Sequence, residues 1–334
     1  MNVAWEGGGR GFGASANAGS PPARAVAVVP VFDGEALLGD CLDALLATDH
    51  DALEIVVVDD GSRDASVAVA REKAAGCGGR IRVLALGSNH GFAGAVNRAV
   101  ATVLAGEAVP DTLAFVNQDC IVSRGWLAPL LAALERPGVG LAGARLLDAD
   151  GITLQHAGAR IEANGLTTHI GRGSRDPLAW RDCRDVDYVC GALFAMRATT
   201  WRRLGPLDEG YAPAYFEDVD LCMRARRAGL RVVYVPGSEA RHLEACCSGA
   251  GSRTFLARYH RSRMRFVVRH LLPRGGALRW LRAEAAWLPG LRRWAEIAPV
   301  LGAYARTPLL FAELAAERST VARTDRPGAA EVAG

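Results

Sequence analysis

The sequence predicts an α/β fold, a mainly parallel sheet flanked by helices, with a helical extension at the C-terminal end. Three observations carry this expectation. Between residues 25 and 116, short apolar runs alternate with stretches whose apolar residues recur at helical spacing. The runs end in carboxylates or amides at Asp59 and Asn117 rather than in hairpin turns, as strands joined by helical crossovers do. Beyond Ser252 the pattern becomes helical throughout and rich in arginine.

Taken in order, residues 1–23 are rich in Gly, Ala and Ser, show no periodicity, and are expected to form a disordered leader. An apolar run over 25–30 gives the first buried strand, bounded by Pro30. Leu37, Leu38, Cys41, Leu42, Leu45 and Leu46 then share a helical face, and residues 54–59 form a second strand, completing a β-α-β unit. A helix over 65–75, a strand over 81–85, a helix over 93–104 and a strand over 112–116 continue the alternation. Ligands of such sheets bind beyond the carboxyl ends of the strands, where Pro30, Asp59, Asp60 and Asn117-Gln118-Asp119 all fall. A helix over 126–135, a short strand near 139–142 and a loop-rich stretch over 148–187 follow. Gly229 stops a helix over 217–228, and residues 231–235 read as a strand ended by Pro236. The remaining helices are expected to break at Pro273, Pro289 and Pro308.

With 334 residues, 50% of them hydrophobic, the chain can bury one large core or two modest ones. Its net charge of +3 hides an asymmetry, since residues 253–293 hold eleven arginines against the single acid Glu284. Eight cysteines lack any CxxC pair or zinc-module spacing, which suits reduced thiols in a cytoplasmic protein. No apolar run approaches the roughly 20 residues of a spanning helix, and no basic-then-apolar segment opens the chain, so neither secretion nor membrane spanning is expected. The glycines of residues 87–94 have the wrong spacing for a dinucleotide fingerprint, and the phosphate loop and nucleophile elbow are missing too. A nicotinamide enzyme thereby loses its main support.

Chemistry concentrates in four places. Glu217, Asp218 and Asp220 stand at the start of an amphipathic helix, where the backbone dipole favours acids whether or not they have a function. Asp220 can pair with Arg224 one turn on, whereas Asp218 shares a face with Leu221, Cys222 and Ala225 and fits capping and catalysis equally. Asp59-Asp60-Gly61-Ser62 crowds two acids at a strand end, where a carboxylate could accept hydrogen bonds from a base or ribose. Asp119 suits a hard divalent cation that bridges phosphates, and a plain turn explains the Asn117-Gln118-Asp119 tripeptide as well. His242, six residues past Pro236, could complete a Mg²⁺ or Mn²⁺ site or simply be a packed histidine.

In this order, Val28-Val29-Pro30-Val31-Phe32-Asp33-Gly34-Glu35, Val58-Asp59-Asp60-Gly61-Ser62, Asn89-His90-Gly91-Phe92, Asn117-Gln118-Asp119 and Phe216-Glu217-Asp218-Val219-Asp220-Leu221 resemble the family 2 glycosyltransferases, most nearly the rhamnosyltransferase-like branch. The resemblance spans roughly residues 25–270. It implies the GT-A fold, a Rossmann-like arrangement, and an inverting transfer from a nucleotide-diphosphate sugar assisted by Mg²⁺ or Mn²⁺. It further implies that Pro30, Phe32 and Asp60 form the base pocket, with Asp59 supporting that strand end. Asn89, Gly91, Phe92 and Asn97 would line the donor, together with Asn117 and Gln118; Asp119 and His242 would hold the cation. Gly191 and Ala192 would lie near the acceptor, with Asp218 as base and Glu217 as its companion. Asn117 departs from the acidic form of the family's DxD-like motif and removes one charge.

The expected division is therefore a GT-A domain over 24–250, with a nucleotide-binding half over 24–122 and an acceptor half over 123–250, a basic helical extension over 251–318, and a disordered tail over 319–334. The expected donor is dTDP-rhamnose or a UDP-hexose, and the acceptor a glycan or lipid-linked saccharide of cell-surface polysaccharide synthesis. The competing class is a non-catalytic nucleotide-sugar binding or scaffold protein of the same fold. For the basic segment 253–293, peripheral contact with anionic membrane at the inner face of the plasma membrane competes with packing on the main domain. Nucleic acid is not expected as a partner, since no stacking platform accompanies the arginines. Nothing in the sequence sets the oligomeric state.

Overall fold

The computed structural model describes residues 23–176, 178–243 and 252–324. The expected leader up to Pro22, residues 325–334 of the expected tail, and Cys246 and Cys247 lie outside the described residues. The first half follows the expected alternation: β1 (Ala25–Val31), α1 (Glu35–Leu46), β2 (Leu53–Asp59), α2 (Ser66–Ala75), β3 (Ile81–Ala85), α3 (Gly91–Leu104) and β4 (Thr112–Val116). β1 pairs in parallel with both β2 and β4, and β2 with β3. Alternate residues of β1 feed two cores, Val26 and Val28 packing with α3, and Ala25, Ala27, Val29 and Val31 packing with Leu38, Leu42 and Leu45 of α1. Helices thus cover both faces, which is why these strands read as unbroken apolar runs.

The second half contains β5 (Cys120–Val122), α4 (Leu127–Glu135), β6 (Val139–Leu147), β7 (Leu154–His156), β8 (Ala159–Ile161), β9 (Thr167–His169), β10 (Arg184–Asp185), β11 (Leu193–Arg197), α5 (Ala198–Leu204), α6 (Glu217–Arg227) and β12 (Arg231–His242). The order across the main sheet is β10-β12-β6-β11-β4-β1-β2-β3. Outside the loop-rich stretch, β5, β11 and α5 were not anticipated. β11, a five-residue apolar run, lies antiparallel between β4 and β6, and α5 follows it directly. The stretch 148–187, expected as loop, carries four short strands.

A second difference shapes the site. β12 does not end at Pro236; its pairing with β6 shifts register between Val235 and Glu239, and the strand runs on to His242. A proline is tolerated at such an irregularity because no ladder donor is required of it there. The continuation pairs with β5 and sets His242 opposite Cys120, the neighbour of Asp119.

Three longer helices complete the chain: α7 (Arg253–Phe266), α8 (Ala277–Trp287) and α9 (Trp294–Thr324). Pro273 and Pro289 sit at the starts of 3-10 turns, as expected of breaks, but α9 continues through Pro299 and Pro308 and past the 318 boundary. Each proline removes one ladder bond, and packing of Ala303 and Leu310 against Met264 and Val267 holds the helix across the gap. No described helix is long and apolar enough to cross a membrane.

Gly143 in the middle of β6 makes room for Val189, whose Cβ lies 2.3 Å from where a Gly143 side chain would begin. Val189 opens the segment that carries Gly191 and Ala192 into the cleft. Gly143→Ala is expected to destabilise the fold by about 1–3 kcal/mol through overpacking, seen as a lower urea midpoint with an unchanged slope.

Candidate active site

The base-side wall is built by backbone locking. Gln118, after β4, accepts a hydrogen bond from the Phe32 N–H (2.9 Å) and donates one to the Phe32 carbonyl (3.2 Å), pinning the loop after β1. Gly34 has no side chain because the Gln118 amide fills that space. Gln118 therefore positions Phe32. Pro30 is buried two residues beyond the last β1–β4 pair, Val28 opposite Phe115. The Asp59 carboxylate accepts from the Gly61 and Ser62 N–H groups, a local turn that supports the strand end as expected. Asp60 is buried, and its Oδ1 accepts from the His90 N–H at 2.7 Å. Burial raises its pKa, and the His90 and Gly91 amides partly offset this.

Asn89 is exposed and turns the chain into α3, its Oδ1 accepting from Gly91 N–H. Gly91 has φ +75, and a Cβ there would approach the Pro213 carbonyl to 3.1 Å, while the Phe92 N–H donates to that carbonyl. The donor-side loop is thus seated on the turn that precedes α6. Asn97 is placed differently from the expectation. Its amide donates to the Leu207 carbonyl and accepts from the Leu207 N–H, both at 2.9 Å, so its polar atoms hold the 207–209 loop rather than lining the cleft.

The extended β12 brings Asp119 and His242 together, with Nε2 3.2 Å from Asp119 Oδ1. Gln155 Nε2 donates to Asp148 Oδ1 and to the His242 carbonyl, so its Oε1 faces His242 and accepts from Nδ1–H at 2.7 Å. In the neutral ring the proton is then on Nδ1, and the Nε2 lone pair points at a carboxylate oxygen. Two lone pairs at this distance repel unless a cation or a proton lies between them. Asn117 Nδ2 lies 3.5 Å from His242 Nε2, and its Oδ1 is buried with no hydrogen-bond partner, so the amide turned over would present an oxygen to the same place. A carboxylate and an imidazole, with an amide within reach, fit a hard divalent cation. Cys120 is close by; burial raises its thiol pKa well above normal, its Sγ donates to the Ala192 carbonyl, and a hard cation favours the neighbouring carboxylate over a soft thiolate.

Across the cleft stands the start of α6. Asp218 is partly buried; Oδ2 accepts from the Gly191 N–H (2.7 Å) and Oδ1 from the Val219 N–H (2.8 Å). Ala192 in turn accepts from the Asn117 N–H, so one short segment joins the proposed base to the Asp119 side. Burial raises the Asp218 pKa, opposed by those two amides. Glu217 is buried, Oε2 has no hydrogen-bond partner, and burial followed by the charge of Asp218 lifts its pKa to about 8. The two environments differ: Glu217 holds its proton at neutral pH, and Asp218 is the neighbour with accessible surface and two backbone donors.

Two strained residues aim this pair. Tyr215 and Phe216 have φ +81 and +75, positions that cost bulky side chains about 1–3 kcal/mol each. Aromatic contacts from α7 hold them, Phe255 at 5.2 Å from Tyr215, and Tyr259 and Phe266 at 5.2 and 5.6 Å from Phe216. Asp220 pairs with Arg224 (2.7 Å) as expected, and also meets His270 Nε2 (2.6 Å) and Arg269 (3.4 Å). Arg227 donates to His270 Nδ1, so the ring is neutral and gives its Nε2 proton to Asp220. Burial opposes ionisation of Asp220, but His270 and Arg224 outweigh it and bring the pKa down to about 2.

The structure gathers Phe32, Asn117, Gln118, Asp119, Gly191, Ala192, Asp218 and His242 through direct contacts, and places Asp59, Asp60, Asn89, Gly91 and Phe92 along the same strand ends. Sequence reasoning missed Gln155, which orients His242, and His156, whose Nε2 accepts from the Cys190 N–H beside Gly191. A polar pair inside the apolar run Leu154-Gln155-His156-Ala157 was the available signal.

A mixed sheet with its cleft at the carboxyl ends of β1, β2 and β4 defines the class as GT-A. Mannosyltransferase PcManGT from Pyrobaculum calidifontis, solved with GDP-Man and Mn²⁺, has a TM-score of 0.56 at 18% identity and covers 90% of this chain and 81% of its own. S. aureus TarS 1-349 with UDP-GlcNAc has a TM-score of 0.56 at 16% identity, covering 84% and 79%. At these identities the likeness shows the fold. The family profile described as Glycosyltransferase like family 2 matches residues 21–267, and the chain belongs to this family. It is 30% identical over 265 residues to the N-acetylglucosaminyl-diphospho-decaprenol L-rhamnosyltransferase of Mycobacterium tuberculosis, covering 72% of this chain and 81% of that protein. It is also 30% identical over 229 residues to the uncharacterized protein y4gI of Sinorhizobium fredii, covering 66% of this chain but 24% of that protein. Rhamnosyltransferase WbbL of Escherichia coli K12 is 33% identical over 86 residues, 26% of this chain and 31% of that protein, in keeping with the rhamnosyltransferase-like branch.

Because the folded pKa of Glu217, about 8, lies above the unfolded value of 4.5, the native state binds the extra proton in this window and loses stability as pH rises through it. Glu217→Gln removes that loss. Melting curves should show the variant gaining on the wild type between pH 4.5 and 8 and holding a constant lead above.

Proposed function

We propose that this chain transfers a sugar with inversion from a nucleotide-diphosphate donor, dTDP-rhamnose or a UDP-hexose, to a hydroxyl of a glycan or lipid-linked saccharide, in cell-surface polysaccharide synthesis. The observation that carries this reading is the joining of Asp218 to the Asp119–His242 pair through Gly191 and Ala192, two sites of complementary charge demand held by one segment.

In this reading the donor base lies against Phe32 and Asp60, and its diphosphate lies beside Asp119 and His242. A divalent cation held there would neutralise the departing diphosphate. Asp218 takes the proton of the acceptor hydroxyl as that oxygen attacks the anomeric carbon from the face opposite the leaving group. Glu217, protonated and buried behind it, adds no second negative charge to the cleft. A retaining transfer through a glycosyl-enzyme would require another carboxylate placed as nucleophile, and the cluster offers only Asp218 with accessible surface. The relatives named as rhamnosyltransferases and the neighbours solved with GDP-Man and UDP-GlcNAc support the donor class.

The test is a panel of nucleotide sugars with and without Mg²⁺ or Mn²⁺, read by thermal protection and by nucleoside diphosphate release. At least one donor should protect the protein, more strongly with cation, and release should follow acceptor addition. Asp119→Asn should abolish the cation's contribution to protection, and protection by no donor under any condition would defeat the reading.

A further inference from the structure

The arginines of the C-terminal helices fall into two groups. Those that face inward are matched: Arg263 forms a bidentate pair with Glu284, and Arg265 pairs with Asp208 and Glu317. Packing on the main domain therefore accounts for them. The outward group is not matched. Arg253, Arg258 and Arg261 on α7 and Arg306 on α9 line an open groove of about 560 Å³ between the two helices. Among the described residues none of the four meets a carboxylate, and only Arg261 has a protein acceptor, the Ala212 carbonyl at 3.1 Å. Among the described residues these four cations are brought together without an acid, and they repel one another unless an anion joins them.

The surface beside the groove is apolar. Nine large hydrophobic side chains are exposed among the described residues, and six of them lie between 278 and 311. Trp294, Leu301 and Leu309 are 68%, 49% and 64% exposed, and their seven- and eight-residue spacing sets them in a line along α9, on the side of Ala298 and Gly302, which line the groove. Exposed Leu278 and Leu281 on α8 share a face with Arg282. Phosphate-binding cations beside large apolar side chains match one kind of surface, a bilayer of anionic headgroups over acyl chains. An RNA or an acidic protein would use the arginines and leave Trp294 and Leu309 in water.

We propose that α7, α8 and α9 dock this protein on an anionic lipid surface, with the α7–α9 groove receiving headgroup phosphates and the Trp294–Leu309 line entering the interface. Arg261 connects this face to the site, because Ala212 belongs to the turn that leads into α6. The acceptor hydroxyl would then arrive from the membrane side. The docking is independent of the donor and of the transfer step.

Co-sedimentation of the full chain with phosphatidylcholine vesicles containing about one third phosphatidylglycerol tests this. The wild type should bind these vesicles, release them as salt rises, and ignore pure phosphatidylcholine. Arg258→Glu combined with Arg306→Glu should weaken binding by about tenfold or more. Trp294→Ser combined with Leu309→Ser should weaken it too, while unchanged melting temperatures show that both variants are folded. No binding to anionic vesicles, equal binding to neutral ones, or undiminished binding by the charge-reversed variant would overturn the proposal. So would a concentration-dependent dimer broken by the same substitutions without vesicle binding, or an oligonucleotide that displaces the vesicles and binds the apolar variant as tightly as the wild type.

Discussion

Asp220 is fully buried, and donors from two parts of the chain close on its carboxylate: the Arg224 guanidinium from its own helix, and the neutral His270 ring and the Arg269 guanidinium from the segment after α7. A lone buried carboxylate would be costly, and removing it would strand the guanidinium groups that surround it. The geometry of the cleft rests on this pairing. It ties α6 to the C-terminal helices, and the same helices supply Phe255, Tyr259 and Phe266, which hold Tyr215 and Phe216 in their left-handed conformations. Only with that turn in place does the Asp218 carboxylate meet the Gly191 N–H. The extension is thus part of the catalytic domain's structure, and Phe266 belongs to its main core.

A second constraint acts from the other side. The irregularity around Pro236 lets β12 change partners without ending, from β6 to a shared pairing with β5. That is how His242 comes within reach of Asp119. Gln155 then fixes the ring so that Nε2 faces the carboxylate, a tautomer set by a residue more than 80 positions away in sequence. The Gln118 side chain works in the same manner on Phe32, through both of its amide atoms. Two polar residues of this cleft, Gln155 and Gln118, therefore act on the orientation of others.

Much of the fold was legible because its signals are local. The apolar runs at 25–30, 54–59 and 112–116 each became a strand of nearly those bounds, since a parallel strand covered on both faces must be apolar throughout. β11 was overlooked because its five residues follow directly on a cleft segment and carry no turn signal, and β12 was cut short by treating Pro236 as a stop. α9 kept its course through Pro308 because tertiary packing outweighed one lost bond. In the site, Asp119, His242 and Asp218 were singled out by residue type and by the ordered motifs of the resemblance, and the structure sets Asp119 beside His242 and links Asp218 to them through Gly191 and Ala192. The positions of Asn97 and Gln155 depend on contacts across 110 and 87 residues, which no local pattern encodes.

The proposed transfer depends most directly on Asp218 as the proton acceptor. Asp218→Asn keeps the shape of the side chain and one oxygen for the Gly191 N–H, gives up the bond from the Val219 N–H, and leaves Asp60, Asp119 and His242 untouched. With the nucleotide sugar that best protects the wild type, the variant should show the same cation-dependent thermal protection. Single-turnover transfer to acceptor should be about 10²–10⁴-fold slower. Transfer at the wild-type rate would contradict the account, and loss of donor protection would assign Asp218 to donor binding instead.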